Sequence, residues 1–196
     1  MAVQYDIAGQ SFLVAGRPGT GKTHLMRHLA ALAQTDRLAV WDPMREFAHW
    51  QRQGAHVHHP AHPKDRRAFR AFLVSVLPPA GRRSSRYDLV VIDEADMVCE
   101  AKRRLEPELE VLSQLRRHFG PAVFYVTRRP SRIHADVRET VNKLICFALA
   151  GPNDRRALDY FCEGTGVEVK RLPQHHYLVS DGAEYQIHSP VAVGVK

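Results

Sequence analysis

The sequence predicts an α/β fold with a mostly parallel central sheet, flanking helices and a C-terminal β-hairpin. Three observations predict it. Strand and helix signals alternate from residue 10 to about 165. A glycine-rich turn separates the first strand from the first helix. Leu89-Val90-Val91-Ile92 is an unbroken aliphatic run, which suits a strand covered on both faces.

Residues 11–15 form a short apolar strand running into glycines. Residues 22–34 form an amphipathic helix, with Leu25, Met26, Leu29 and Leu32 three or four positions apart. Residues 38–41 are the second strand. After Asp42-Pro43 come a short helix near residues 45–51, a strand at 55–58 and a helix over 65–76. Pro78 to Arg86 is a turn-rich basic loop. Residues 87–93 are the fully buried strand, and 107–119 a helix whose Leu109, Leu112, Leu115 and Phe119 make one stripe. Strands at 122–127 and 143–149 flank a helix around 135–141, and the last helix spans 153–163. Residues 176–180 and 184–188, around Asp181-Gly182, have the turn chemistry of a hairpin. No repeat or low-complexity tract interrupts the pattern, so residues 1–196 read as one domain, with the hairpin at about 174–190.

At 196 residues, with 44% apolar and 25% charged side chains, the chain has enough apolar content for a core. Collagen-like, mucin-like and disulfide-scaffold classes are excluded. No apolar run approaches the roughly 20 residues that span a bilayer, and the N-terminus lacks a secretory pattern. The expectation is a protein without a transmembrane segment. Cys99, Cys146 and Cys162 show no C-x-x-C spacing and suit buried thiols in a reducing compartment. The net charge is +7, carried mostly by arginine and spread over six Arg-Arg doublets. A polyanionic partner and a solvated arginine-rich surface both fit it, and charge alone does not choose.

Gly16-Arg17-Pro18-Gly19-Thr20-Gly21-Lys22-Thr23 fits G-x-x-x-x-G-K-[ST] between a strand and a helix, the context that motif requires. Its glycines let successive N–H groups turn toward one anion, and the helix N-terminus adds its dipole. A nucleoside triphosphate is the natural ligand, held by Gly16, Arg17, Pro18, Gly19, Thr20, Gly21, Lys22, Thr23 and His24. Lys22 would reach the β and γ phosphates, and the Thr23 hydroxyl would hold Mg²⁺. Asp93-Glu94 then stands directly after the aliphatic strand, some 70 residues on. Asp93 suits the Mg²⁺ shell, and Glu94 could polarise a water for attack on the γ phosphate. A GTPase would carry N-K-x-D, whereas Asn142-Lys143-Leu144-Ile145 has no Asp; a kinase has no need of a water-activating Glu. Hydrolysis is the favoured chemistry.

Beyond these two motifs, Val40-Trp41-Asp42-Pro43-Met44-Arg45-Glu46-Phe47 matches D-P-x-x-E-aromatic. Gln114-Leu115-Arg116-Arg117-His118-Phe119-Gly120 leads through a strand to Val126-Thr127-Arg128-Arg129-Pro130, and Ala150-Gly151-Pro152-Asn153-Asp154 follows the next strand. On these residues the chain resembles the FtsK/HerA superfamily of P-loop motor ATPases. It looks most like the genome-packaging ATPases of membrane-containing icosahedral viruses. The resemblance implies a RecA-like core that forms a homo-oligomeric ring, hexamer or pentamer, and translocates double-stranded DNA. It further implies a site in the host cytoplasm or at a packaging vertex, with capsid vertex or portal proteins as partners. Arg117 resembles the family's trans-acting arginine, with Arg116 the alternative, and Thr127 takes the sensor position. Arg128 replaces the family's usual glutamine and could itself act as a finger in cis or in trans.

Other readings stay open on the sequence. Arg82, Arg83 and Arg86 could touch DNA phosphates, or form the lid of a small-molecule kinase, or belong to a plain surface loop. A HerA-like cellular translocase for repair or plasmid transfer shares the same motifs. Filamentous-phage extrusion ATPases usually add a membrane segment. His56, His58, His59, His62, His175 and His176 are loop histidines or a metal cluster lacking cysteine partners.

Overall fold

In the computed structural model, residue 7 and residues 9–30 and 35–191 are described. The first strand, β1 (Ser11–Ala15), is buried along its whole length because its two faces meet different helical layers. Phe12 and Val14 pack with Leu25, Met26 and Leu29 of α1 (Lys22–Ala30), and with Phe47 and Trp50 at α2 (Ala48–Arg52). Leu13 and Ala15 face the opposite layer, built on α3 (Arg66–Val76) and α4 (Pro107–Phe119). The alternation follows from the two-residue period of a strand. The predicted continuation of α1 over 31–34 lies outside the described residues.

Seven further strands complete one sheet: β2 (Leu38–Trp41), β3 (His56–His58), β4 (Leu89–Ile92), β5 (Ala122–Thr127), β6 (Lys143–Phe147), β7 (Tyr177–Ser180) and β8 (Tyr185–His188). Their spatial order is β3-β2-β4-β5-β1-β6-β7-β8. Every pair from β3 to β6 is parallel, and only β7 runs against its neighbours, closing the sheet with the expected hairpin. Phe12 and Phe124 stack across the β1–β5 pair with ring centroids 4.2 Å apart. Asp65 starts α3 by accepting a hydrogen bond from the Ala68 N–H, 2.9 Å away, as an N-cap should. Gly120 ends α4 in the left-handed region.

Two expectations change. The helical stripe of α4 does not run through Leu115, which is 46% exposed; Ser113 and Arg116 turn inward beside Leu109, Leu112 and Phe119 instead. The predicted last helix over 153–163 ends early, as α6 (Pro152–Asp159), and a further, unpredicted helix, α7 (Thr165–Arg171), lies against it; α5 (Ala135–Glu139) precedes β6. Gly164 is left-handed and breaks the chain between α6 and α7. All three cysteines are buried and free. Among the described residues no helix is long and apolar enough to cross a membrane.

Gly166 shows how tightly α7 meets α6: a Cβ there would lie 2.5 Å from Asp159 Oδ2 and 2.6 Å from the Arg155 carbonyl oxygen. One of those neighbours is backbone and cannot swing away. Gly166→Ala should therefore destabilise the fold by about 1–3 kcal/mol, measured as a lowered urea midpoint at unchanged m-value.

Candidate active site

The chain leaves β1 at Gly16, between the carboxyl ends of β5 and β6. Gly16 N–H donates to the Thr127 carbonyl at 3.3 Å, and Arg17 N–H to that of Ala148 at 3.2 Å. Gly16 has no room for a side chain, since a Cβ would stand 2.7 Å from Phe147 Cβ. Gly19 and Gly21, at φ 75° and 111°, turn the loop into the start of α1. Thr20 braces the turn by donating its hydroxyl to the Arg17 carbonyl at 2.7 Å. Lys22 Nζ folds back over the loop, donating to the carbonyls of Gly16 at 2.8 Å and Arg17 at 3.0 Å. Burial holds its ammonium below the usual lysine range, against the pull of Glu94 and Asp93.

Opposite stands the tip of β4. Asp93 is buried, and burial together with the neighbouring Glu94 pushes its carboxyl up to about 8. Glu94 has φ 47° and ψ 44°, a left-handed conformation that a glutamate seldom adopts. Such backbone costs on the order of 1 kcal/mol or more and persists where the surroundings impose it. Here it belongs to a residue whose carboxylate faces the cavity and is held by Arg128, whose Nε lies 3.0 Å from each of its oxygens. Burial raises the Glu94 pKa, and Arg128 opposes the rise. Behind them, the Thr127 hydroxyl donates to Asp96 at 2.6 Å and accepts from the Arg129 N–H at 2.9 Å.

A third wall comes from the turn after β2. Asp42 is fully buried and accepts from the backbone N–H groups of Glu46 and Phe47, each at 2.9 Å. Arg45 takes φ 60° to close this turn. The result aims Glu46 at the phosphate loop, where its Oε2 accepts the Thr23 hydroxyl at 2.5 Å. Lys22, Thr23, Glu46, Asp93, Glu94 and Arg128 thus line one cavity of about 650 Å³, the size of a small-molecule site. Its other end is less polar, with Phe147, His175, Tyr177 and Pro190. His175 also has positive φ, so the three described non-glycine residues in that region all flank this cavity or its wall.

Of the residues singled out in the sequence, Pro18, Gly19, Gly21, Lys22, Thr23, His24, Asp93, Glu94 and Arg128 meet at the cavity. Gly16 and Thr20 shape the loop, and Arg17 turns to a separate groove. Thr127 is buried, and its hydroxyl is tied to Asp96 instead of facing the cavity. Arg116 does not fit a finger role: it is 3% exposed and donates to the carbonyls of Ser113 and Thr140 and to Asn142 Oδ1. Arg117 is exposed beside Gly9, at the amino end of β1, about 15 Å of strand away from the phosphate loop. It cannot serve its own cavity. Arg82, Arg83 and Arg86 lie at that same far end, with Arg37, so they form no lid over the site; Arg86 stacks on Tyr87 at 4.7 Å. Among the described residues no group of three or more His, Cys, Asp or Glu could hold a metal; His56 and His58 stack against Phe72 and Trp41. Glu46 and His175 also line the cavity, a place the sequence assigns to neither: Glu46 stands out in it only within a motif match and His175 only among the clustered histidines. The D-P-x-x-E spacing was the available signal for the first.

The buried guanidinium makes a direct test of the structural role of Arg116. Arg116→Ala should lower stability by about 2 kcal/mol by removing its hydrogen bonds to Thr140 and Asn142, whose oxygens then keep only their Ser11 donors, measured by denaturant unfolding.

The fold is shared with several solved structures. The genome-packaging NTPase B204 from Sulfolobus turreted icosahedral virus 2, in complex with AMPPCP, superposes with a TM-score of 0.77 at 20% identity, over 94% of this chain and 99% of that one. The pCW3 conjugation coupling protein TcpA gives 0.64 at 18% identity, over 91% and 59%. The N-terminal domain of zonular occludens toxin from Neisseria meningitidis gives 0.54 at 15% identity, over 93% and 94%. No curated protein sequence matches the chain. These likenesses bear out the α/β fold that the sequence predicts. The zonular occludens toxin (Zot) family description matches residues 79–185, from the arginine-rich loop through β4 to the hairpin and over more than half of the sequence, so the chain belongs to the Zot family.

Proposed function

We propose that the chain, acting as a single P-loop domain over residues 1–196, is a Mg²⁺-dependent ATPase that drives double-stranded DNA, packaging a viral genome into a preformed capsid. The observation that carries this reading is the meeting of Lys22, Thr23, Asp93 and Glu94 in one cavity at the carboxyl edge of the sheet. ATP fits the anion-binding turn, with Lys22 leaving its loop carbonyls for the β and γ phosphates. The donor set suits Mg²⁺: a hydroxyl and a buried carboxylate are hard oxygen ligands, and a carboxyl raised to about 8 is one that a cation would ionise. Thr23 and Asp93 would hold the ion, which when bound neutralises phosphate charge. Glu94, released from Arg128, accepts a proton from the attacking water.

The likeness in fold to a packaging NTPase and to a conjugation coupling protein supports the motor reading, in genome packaging first and plasmid transfer second. In a hexameric or pentameric ring, Arg117 would act across the subunit boundary, which suits its exposed place away from its own cavity. Arg128, beside Glu94, suits a role in cis. Arg82 and Arg83 remain candidate DNA contacts at the far edge. The proposed setting is the host cytoplasm, or a packaging vertex with capsid or portal proteins.

Glu94→Gln should lower ATP turnover by about a hundredfold or more while leaving nucleotide affinity within a fewfold, and Lys22→Ala should weaken binding itself. Equal turnover in wild type and Glu94→Gln would overturn the hydrolytic reading. The raised Asp93 carboxyl gives a second expectation. Below pH 8 it is protonated, and only its ionised form binds a cation. Affinity for Mg²⁺-nucleotide should therefore rise as pH approaches about 8, with a proton released on binding. Calorimetry in buffers of different ionisation enthalpy reads that proton, and Asp93→Asn should remove it.

A further inference from the structure

A second groove, of about 510 Å³, lies on the other side of the phosphate loop from the nucleotide cavity. Arg17, Arg128, Arg129 and Arg132 line it, together with the buried Asp96 and Asp154, which are bonded to Thr127 and to Ser131 and Arg129. Beside it, the segment after the β4 tip is clamped antiparallel to the Arg132 backbone: Ala101 N–H donates to the Arg132 carbonyl at 2.8 Å, and His134 N–H to that of Cys99 at 2.8 Å. That clamp sets the exposed run Lys102-Arg103-Arg104 next to Arg132. Among the described residues, Arg17, Lys102, Arg104 and Arg132 have no carboxylate within ion-pair distance, whereas Arg129 pairs with Asp154 at 3.2 Å and Arg103 with Glu100 at 3.3 Å.

We infer that this arginine-rich edge, comprising the groove and the Lys102–Arg104 run, is where the phosphate backbone of duplex DNA docks; the inference rests on the motor reading. Among the described residues these four exposed cations lack partners while the two groove carboxylates are already bonded, so the edge is left with a positive surplus complementary to a polyanion. Guanidinium groups match phosphate oxygens in a planar fork. The cations stand on loops and on the end of a short 3-10 helix, with no long helix among them to enter a groove and read bases, so the contact is to backbone and independent of sequence. Free phosphate or a single strand offers the same oxygens, but the spread of cations over two neighbouring segments favours an extended rigid polyanion.

The place of Arg128 distinguishes this edge from the arginines at the far end. It lines both the nucleotide cavity and the groove, and it holds Glu94. A DNA phosphate entering the groove competes with Glu94 for that guanidinium and frees the carboxylate for water. The clamp adds a second link, because the segment it holds begins a few residues beyond Glu94 itself. Duplex binding and ATP turnover are thereby coupled through one ion pair.

The test replaces Lys102, Arg104 and Arg132 with Ala together, leaving every residue of the nucleotide cavity in place. Duplex affinity is followed by fluorescence anisotropy across a salt series, and ATP turnover with and without duplex. The triple variant should keep its DNA-free turnover within twofold, lose DNA stimulation, and show a log–log salt slope shallower by about 2 to 3, at roughly 0.9 per phosphate contact removed. Lys replacements at Arg104 and Arg132 should restore most of the slope. An unchanged slope and unchanged stimulation in the triple variant would overturn the assignment and leave the motor reading intact. Wild-type protein that hydrolyses ATP but binds no duplex would overturn both. Equal affinity of the wild type for single strands and for duplex would overturn the choice of duplex, and loss of self-association with duplex affinity intact would reassign the edge to a subunit contact.

Discussion

Parallel pairing of β1 with β5, and of β5 with β4, opens the carboxyl ends of three strands at one edge of the sheet. Each end delivers a different chemical group there: the phosphate loop from β1, Asp93 and Glu94 from β4, and Arg128 from β5. The register is fixed by burial on both faces, because slipping any strand by one residue would exchange its inward and outward side chains. Ala15 stands opposite Thr127, so the loops after β1 and β5 begin level, while Ile92 stands opposite Tyr125 and the β4 tip begins two residues lower.

Electrostatic tension is concentrated at that edge. Asp93, Glu94 and Glu46 crowd one side, and Lys22 and Arg128 answer them. Burial weakens the charged forms of Lys22 and Asp93 alike, so both groups are poised to gain from a ligand that brings phosphates and a cation. Backbone strain sits in the same place, with Arg45, Glu94 and His175 in the left-handed region. A glycine at position 94 would relieve the strain and also remove the carboxylate, which is why the cost falls on this residue.

The two edges of the sheet divide the arginines by role. At the amino edge, Arg116 is structural, bridging α4 to the segment before β6, while Arg117 beside it faces outward. At the carboxyl edge, arginines surround the phosphate loop from both sides. Membership of the Zot family rests on the stretch from residue 79 to 185, which includes the acidic strand tip and both arginine-bearing segments but begins after the phosphate loop.

The sequence by itself determined what depends on local order. The phosphate loop, the acidic pair after an aliphatic strand, most helices and strands, and the hairpin all follow from period, turn residues and spacing. Leu115 and Arg116 mark where that reading stops. Both positions suit the inner side of α4, and only the nearness of Thr140 and Asn142 turns the guanidinium inward and the leucine out. The additional helix α7, seated on α6 through the fit of Gly166 against Asp159, likewise lies beyond that reading. Distances along the chain also hide what meets in space: Glu46 reaches Thr23 through a turn built by Asp42, His175 arrives from the hairpin approach, and Arg128 finds Glu94 across two strands. Those meetings are decided by the order of strands in the sheet, a property of long-range packing that no local pattern of residues encodes.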